Sequence, residues 1–183
     1  MRLAPTVAVM FGLFLVGIAL ERAGALSPIH EQFHVDAARE LGYTITERTH
    51  NSVKWRGGNH SEVILAGYWR EMLLYSSLAL ILGRWGTLFA GYLASTIGEA
   101  PISTDFRVYL YDHLVTNAGW PGDRALAAVQ RNLDAWDRAA LIVAILLLAR
   151  YAFTLYRVHS KEKGRPGVSP PVPAQRSPDG ALG

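Results

Sequence analysis

Charged residues are distributed unevenly along the chain. The stretch "LAPTVAVMFGLFLVGIAL", residues 3–20, carries none. Between Met72 and Gly98 Arg84 is the only one, and from Ala139 to Tyr156 only Arg150 is charged. Runs of about eighteen apolar residues are long enough to cross a hydrocarbon layer of roughly 30 Å as a helix. The pattern therefore predicts a mainly α-helical, multi-spanning membrane protein with a first span over residues 4–20 and a last one over 139–156. The middle block reads in two ways. One tilted span from about 66 to 92 gives three transmembrane helices. A span over 63–83 followed by a shorter one over 85–98 gives four, with both termini in the cytoplasm.

The polar stretches between these blocks have their own periodicities. After the first span, Ser27 is placed to cap a helix, Pro28 suits its first position and Gly42 follows its last turn. "GYTITERTH" then alternates, with Tyr43 and Ile45 on one face and Thr44 and Thr46 on the other, which predicts a strand. "SVKW" offers a partner strand and Gly57-Gly58-Asn59 a turn, so a small β-hairpin is expected before the second span. Residues 99–138 are polar again. From about Arg124, Leu126, Val129, Leu133 and Trp136 recur at helical spacing and predict an amphipathic helix on a membrane surface or against the other spans. After Lys163 the chain is rich in Pro, Gly and Ser, a composition that predicts disorder. The expected organisation is one membrane-embedded domain over residues 1–160 and a disordered basic, Pro-rich tail over 161–183.

Composition adds three constraints. The 183 residues include no cysteine, so disulfides and thiolate metal sites are excluded and any metal would be held by His, Asp or Glu. The net charge of +3 comes largely from the chain end, where "RVHSKEKGRPG" (residues 157–167) carries five basic residues, His159 included, against one acid. Basic residues beside a span argue for a cytoplasmic tail. They do not argue for nucleic acid, because no aromatic residues interleave with them. Ala23-Gly24-Ala25 resembles a signal-peptidase site, but the long apolar run and the intervening Glu21-Arg22 favour an uncleaved first span. Trp55, Trp69, Tyr68, Trp85, Tyr151 and Tyr156 read as interfacial anchors, and Arg70-Glu71, near the Ala-Gly helix, as an interfacial pair with shaping of the site as the alternative. Arg84 and Arg150 read as snorkelling or pairing with acids on neighbouring helices.

The chemistry is concentrated in His30-Glu31-Gln32-Phe33-His34, an H-E-x-x-H sequence inside the predicted polar helix. Residues four apart on a helix share a face, so both imidazoles can be directed at one ion. Glu31 lies beside that face, where it can accept a proton from metal-activated water. Zinc with three protein ligands and one open position lowers the pKa of its water to near 7. The resulting hydroxide can attack a peptide carbonyl while the glutamate returns the proton to the leaving amine.

With its surroundings, this stretch resembles the intramembrane zinc metallopeptidases of the site-2 protease type, particularly their short members. In that family H-E-x-x-H-x-x-A-A-x-x-L-G closes the first core helix, a hairpin follows, and an Ala-Gly pair opens the next apolar helix. The matching residues are His30, Glu31, His34, Ala37, Ala38, Leu41 and Gly42, then Leu65-Ala66-Gly67-Tyr68, and the likeness covers roughly residues 5–85. It implies a membrane-embedded zinc metalloendopeptidase in the plasma (bacterial inner) membrane, acting on peptide bonds in or near the membrane of single-span or partly unfolded proteins. His30 and His34 would bind Zn²⁺ and Glu31 would be the general base. The sequence departs from the family in three places. Phe33 precedes the second histidine, where the family has Gly. Glu21-Arg22 lie between span and motif, which would put the site near the membrane surface. The N-P-x-x-P-x-D-G-like segment that supplies the family's third ligand is missing; its nearest counterpart, "NAGWPGD" (residues 117–123), makes Asp123 the first choice, with Asp112, His113, His50 and His60 behind it. The competing expectation is a non-catalytic membrane accessory or scaffold subunit, including a degenerate homologue that keeps the fold without cleaving.

Overall fold

A computed structural model describes residues 3–57 and 61–163. The fold is mainly helical with one two-stranded antiparallel hairpin. Helix α1 (Leu3–Arg22) leads through a short turn into α2 (Ser27–Glu40), followed by β1 (Thr44–Arg48) and β2 (Val53–Arg56). Helix α3 (Ser61–Ile81) ends at a 3₁₀ turn (Gly83–Trp85), which Gly83 permits with φ of +58°, and α4 (Gly86–Glu99) follows. A 3₁₀ turn (Ala100–Ile102) leads to a helical segment over residues 105–117. There, π-helical turns Asp105–Tyr109 and His113–Asn117 flank the one-turn α5 (Leu110–Asp112). The long helix α6 (Gly122–Lys163) comes last.

Several sequence expectations change in detail. Ser27 begins α2 but makes no capping hydrogen bond, and Leu26 stands at the N-cap. Gly42 follows the helix with φ of +76°, a conformation that favours glycine. The hairpin pairs Ile45 with Trp55 and Glu47 with Lys54, so Thr46 is an extra residue on β1, a bulge that bends the strand. The amphipathic stretch from Arg124 and the last apolar block form one uninterrupted 42-residue helix, about 63 Å long. Its last turn takes in residues 161–163, which the composition had assigned to the tail. The rest of that tail, Gly58-Asn59 of the expected turn, and His60 lie outside the described residues.

Among the described residues two helices, α1 and α6, are long and apolar enough to cross a membrane. The three or four crossings expected from composition are therefore not all reproduced. The middle block breaks at Gly83, and α4, at 14 residues, spans about 21 Å, less than a layer of roughly 30 Å.

Side-chain contacts establish how the helices run. Trp69 of α3 meets Trp136 of α6 with ring centroids 5.2 Å apart, and further along both helices the Leu80 carbonyl accepts a 3.0 Å hydrogen bond from Arg150 Nε. Helices α3 and α6 are thus parallel. Tyr151 donates to the Ala79 carbonyl at 3.1 Å, so two α6 side chains satisfy the last carbonyls of α3, and the Arg150 charge complements that helix terminus. Arg150 therefore binds backbone rather than an acid on a neighbouring helix. Helix α4 turns back, with the Trp136 indole donating to the Ile97 carbonyl, and its final Glu99 hydrogen-bonds Glu21 near the end of α1. Accordingly α1 and α4 run towards one end of the bundle, and α3 and α6 run away from it.

The crossing of α1 and α4 depends on two glycines. A Cβ on Gly17 would collide with the Leu88 carbonyl oxygen, and one on Gly91 with that of Phe14. Backbone cannot yield there as a flexible side chain would. Gly91→Ala is expected to destabilise the protein by about 1–3 kcal/mol. Gly12→Ala, at a position with open space around it, should be neutral or slightly stabilising. Thermal unfolding of the purified variants measures both, and equal melting temperatures would contradict the close crossing.

Candidate metal centre

The site begins with the contact between α2 and α3. Ala37, Ala38, Val63 and Ala66 form a small buried cluster there, joined at its edge by Tyr43, Ile45 and Trp55 from the hairpin. Short side chains bring the two helices close enough for His34 Nδ1 to donate to the Val63 carbonyl at 2.6 Å. That bond assigns the proton to Nδ1 and leaves Nε2 available to an ion. His30 lies one turn earlier, and its ring occupies the space where a Cβ on Gly67 would be. Gly67 of the Ala-Gly pair, in the second turn of α3, is thus a steric requirement of this histidine. The Tyr68 ring stands edge-on to the His30 ring at 4.8 Å.

Asp105 joins the two histidines from the far side. Among the described residues His30, His34 and Asp105 form a group that could hold a metal ion. The two Nε2 atoms are 3.1 Å apart, and Asp105 Oδ2 lies 3.7 Å from each. A circle through these three atoms has a radius of about 2.0 Å, which matches the lengths of metal–nitrogen and metal–carboxylate bonds. Two imidazoles, one carboxylate and an open side suit a divalent transition metal.

Asp105 is held by aromatic packing. It opens the first π-helical turn, and the adjacent Phe106 is fully buried against Tyr68 and Trp136 at centroid distances of 5.7 Å each. Tyr68 also hydrogen-bonds Ser103. One cluster thus ties the 105–117 segment to α3 and α6 and positions the carboxylate. π-Helical turns recur at functional sites, and here one sets the direction of Asp105.

A cavity of about 640 Å³ opens onto the centre, with Glu31, His34 and Asp105 in its wall. The hairpin residues from Asn51 to Trp55 form one side, and the helical segment from Tyr109 to Asn117 forms another. Glu31 is 8% exposed. Burial pushes its carboxyl above the usual carboxylate range, the His30 charge works against that rise, and Asp105 adds to it. Burial disfavours the charged form of His30, but hydrogen bonds and charge from Asp105 and Glu71 outweigh it and push its pKa up to about 10. His34 shifts down, through burial first and the neighbouring His30 charge second.

The other sequence candidates fall elsewhere. Asp123 stands in the first turn of α6 and is not part of the His30–His34–Asp105 group. Asp112 and His113 line the cavity outside the group, and the exposed His50 contacts the Gly24 carbonyl at 3.4 Å. Arg70 and Glu71 separate, because consecutive helical residues point about 100° apart. Arg70 forms a two-point pair with Glu40 at 3.1 and 2.5 Å across α2 and α3, while Glu71 turns inward to His30. Asp105 carries one local signal in the sequence: "PISTDF" places a Pro and two hydroxyl residues shortly before an acid that opens a helical segment. Comparisons of the chain with protein-family models, curated proteins and solved structures found no match.

With the His30 pKa raised by Asp105 and Glu71, an ion bound at its Nε2 would compete with a proton. Metal affinity should therefore rise with pH, by about tenfold per unit from pH 6.5 to 8.5, with release of about one proton per ion. Competition titration against a chromophoric chelator, corrected for the chelator's own protonation, measures the slope. A flat profile across that window would contradict the assignment.

Proposed function

We propose that the protein is a membrane-embedded zinc metallopeptidase that hydrolyses peptide bonds at the membrane boundary. The observation that carries this reading is the ligand triangle of His30, His34 and Asp105 opening onto the same cavity as a buried glutamate. The likeness to site-2 proteases supplies the reaction class, with Asp105 taking the third-ligand place for which the sequence had suggested Asp123. A bound Zn²⁺ would supply Lewis acidity, polarising the scissile carbonyl and activating water near neutral pH. Glu31, its carboxylate raised by burial, takes a proton from the attacking water. The water oxygen bonds to the carbonyl carbon, the C–N bond breaks, and Glu31 passes its proton to the departing amine.

Helix directions give the reading an orientation. Trp136 sits level with the site, and the apolar run of α6 begins at Ala139, just beyond it. Helix α1 likewise ends at Arg22, immediately before α2. In the proposed arrangement α1 and α6 cross the membrane and the α3–α4 hairpin dips in between them. Its tip carries Arg84, which lies 5.4 Å from the Trp85 ring. Leu3 at the start of α1 and Lys163 at the end of α6 then lie on the side opposite the candidate metal centre. The basic residues Arg157, Lys161 and Lys163 favour the cytoplasm for that side, and in this reading the cavity faces outward and receives segments emerging at the outer boundary.

Two experiments test these statements. Purified wild-type protein should hold one zinc that His34→Ala loses. Glu31→Gln should keep the metal and lose about 10²-fold or more of its hydrolysis of a reconstituted single-span substrate. Metal retention with no hydrolysis by wild type would assign the chain to the non-catalytic class. For orientation, the absence of cysteine allows single-cysteine labelling. A membrane-impermeant maleimide applied to intact cells should modify Asn51→Cys at the cavity rim and spare Ser160→Cys in α6; the reverse pattern would overturn the proposed sidedness.

A further inference from the structure

Glu71 is 1% exposed, a carboxylate buried inside a helical bundle. Such a group is stable only with hydrogen-bonding or charged partners, and it has two. His30 Nδ1 lies 3.2 Å from Glu71 Oε2, and the Tyr92 hydroxyl of α4 donates to Glu71 Oε1 at 3.1 Å. Each carboxylate oxygen is thereby committed to a different element. Glu71 is also four residues after Gly67, on the same face of α3. One turn of α3 thus provides both the gap that admits the His30 ring and the acceptor for its far nitrogen, with Tyr68 against the ring's side.

We infer that Glu71, fixed by Tyr92, is a positioning residue of the metal centre: it holds the Nδ1 proton of His30 so that Nε2 faces the ion. This rests on the metal reading above and extends it to residues that touch neither metal nor substrate. The electrostatics agree. A divalent ion with Asp105 as its one anionic ligand would leave a net positive charge at a buried site. The Glu71 carboxylate, one imidazole away, balances it. A carboxylate behind a ligating imidazole also raises that ligand's basicity. Through Tyr92 the arrangement extends to α4 and links the metal centre to the membrane-facing hairpin. His34 is held differently, by a neutral backbone carbonyl, so the two histidines are unequal ligands with His30 the more basic.

The test uses the full chain, purified and titrated with Zn²⁺ and with Co²⁺ as a spectroscopic stand-in. Glu71→Gln keeps the size of the side chain and an oxygen acceptor but removes the charge. It should weaken Zn²⁺ binding by about 10- to 100-fold and shift the Co²⁺ visible bands, while Glu71→Asp restores part of the affinity. Tyr92→Phe should give a smaller loss in the same direction. If Glu71→Gln fails to fold, judged by circular dichroism, Glu71→Asp and Tyr92→Phe carry the comparison. Should folded Glu71→Gln bind Zn²⁺ within threefold of wild type with unchanged Co²⁺ bands, the positioning role is overturned and the metal centre stands. Wild type that binds neither ion overturns both.

Discussion

The His30 imidazole is inserted between two helices with both ring nitrogens engaged, and the rest of the site is arranged around that insertion. Its ring can enter only where α3 lacks a Cβ, at Gly67, and only if α2 approaches closely, which Ala37, Ala38 and Ala66 allow. Once there, the ring needs an acceptor at Nδ1, which Glu71 provides, and its Nε2 must lie near a second imidazole and a carboxylate. A proton or a metal ion makes that group of anions and imidazoles electrically tolerable. The candidate centre is therefore a site suited to a cation.

The helical bundle supports this arrangement from both ends. Arg150 and Tyr151 of α6 satisfy the last carbonyls of α3, and the Trp136 indole satisfies Ile97 on α4. The 42-residue α6 thus spans the distance from the aromatic cluster beside Asp105 to the tip of the α3–α4 hairpin. The Gly17 and Gly91 contacts bring α1 into the same bundle by backbone-to-backbone approach. Because α1 ends and the apolar part of α6 begins at the level of the metal centre, the site sits where the chain changes from apolar to polar. There a cavity with charged residues in its wall meets an apolar bundle.

Local patterns made part of this legible in the sequence. His30, Glu31 and His34 share one helix, and a spacing of four residues on a helix determines their relative geometry whatever surrounds it. The hairpin followed from the alternation around Ile45, and the end of α2 from Gly42. Gly67 was recognisable as part of an Ala-Gly pair, although its reason, the His30 ring, was not. Arg70 and Glu71 are adjacent in sequence and suggest an interfacial pair, but helical geometry sends Arg70 to Glu40 and Glu71 to the site. For the third member of the group the sequence points to Asp123 rather than Asp105, since loop closure over such separations leaves little trace in composition.

The sequence alone determined what local periodicity controls: the apolar helices, the motif helix with its two histidines on one face, and the small hairpin. Tertiary structure decided what depends on distance through space. It brought Asp105 rather than Asp123 to the histidines, because Phe106 packs against Tyr68 and Trp136 while Asp123 begins a different helix. It also turned Glu71 inward and merged the amphipathic stretch and the last span into α6. The physical reason is the same in each case. Backbone hydrogen bonding repeats every few residues and leaves a pattern in the chain, whereas the burial of a ring or a carboxylate depends on partners that the fold alone brings together.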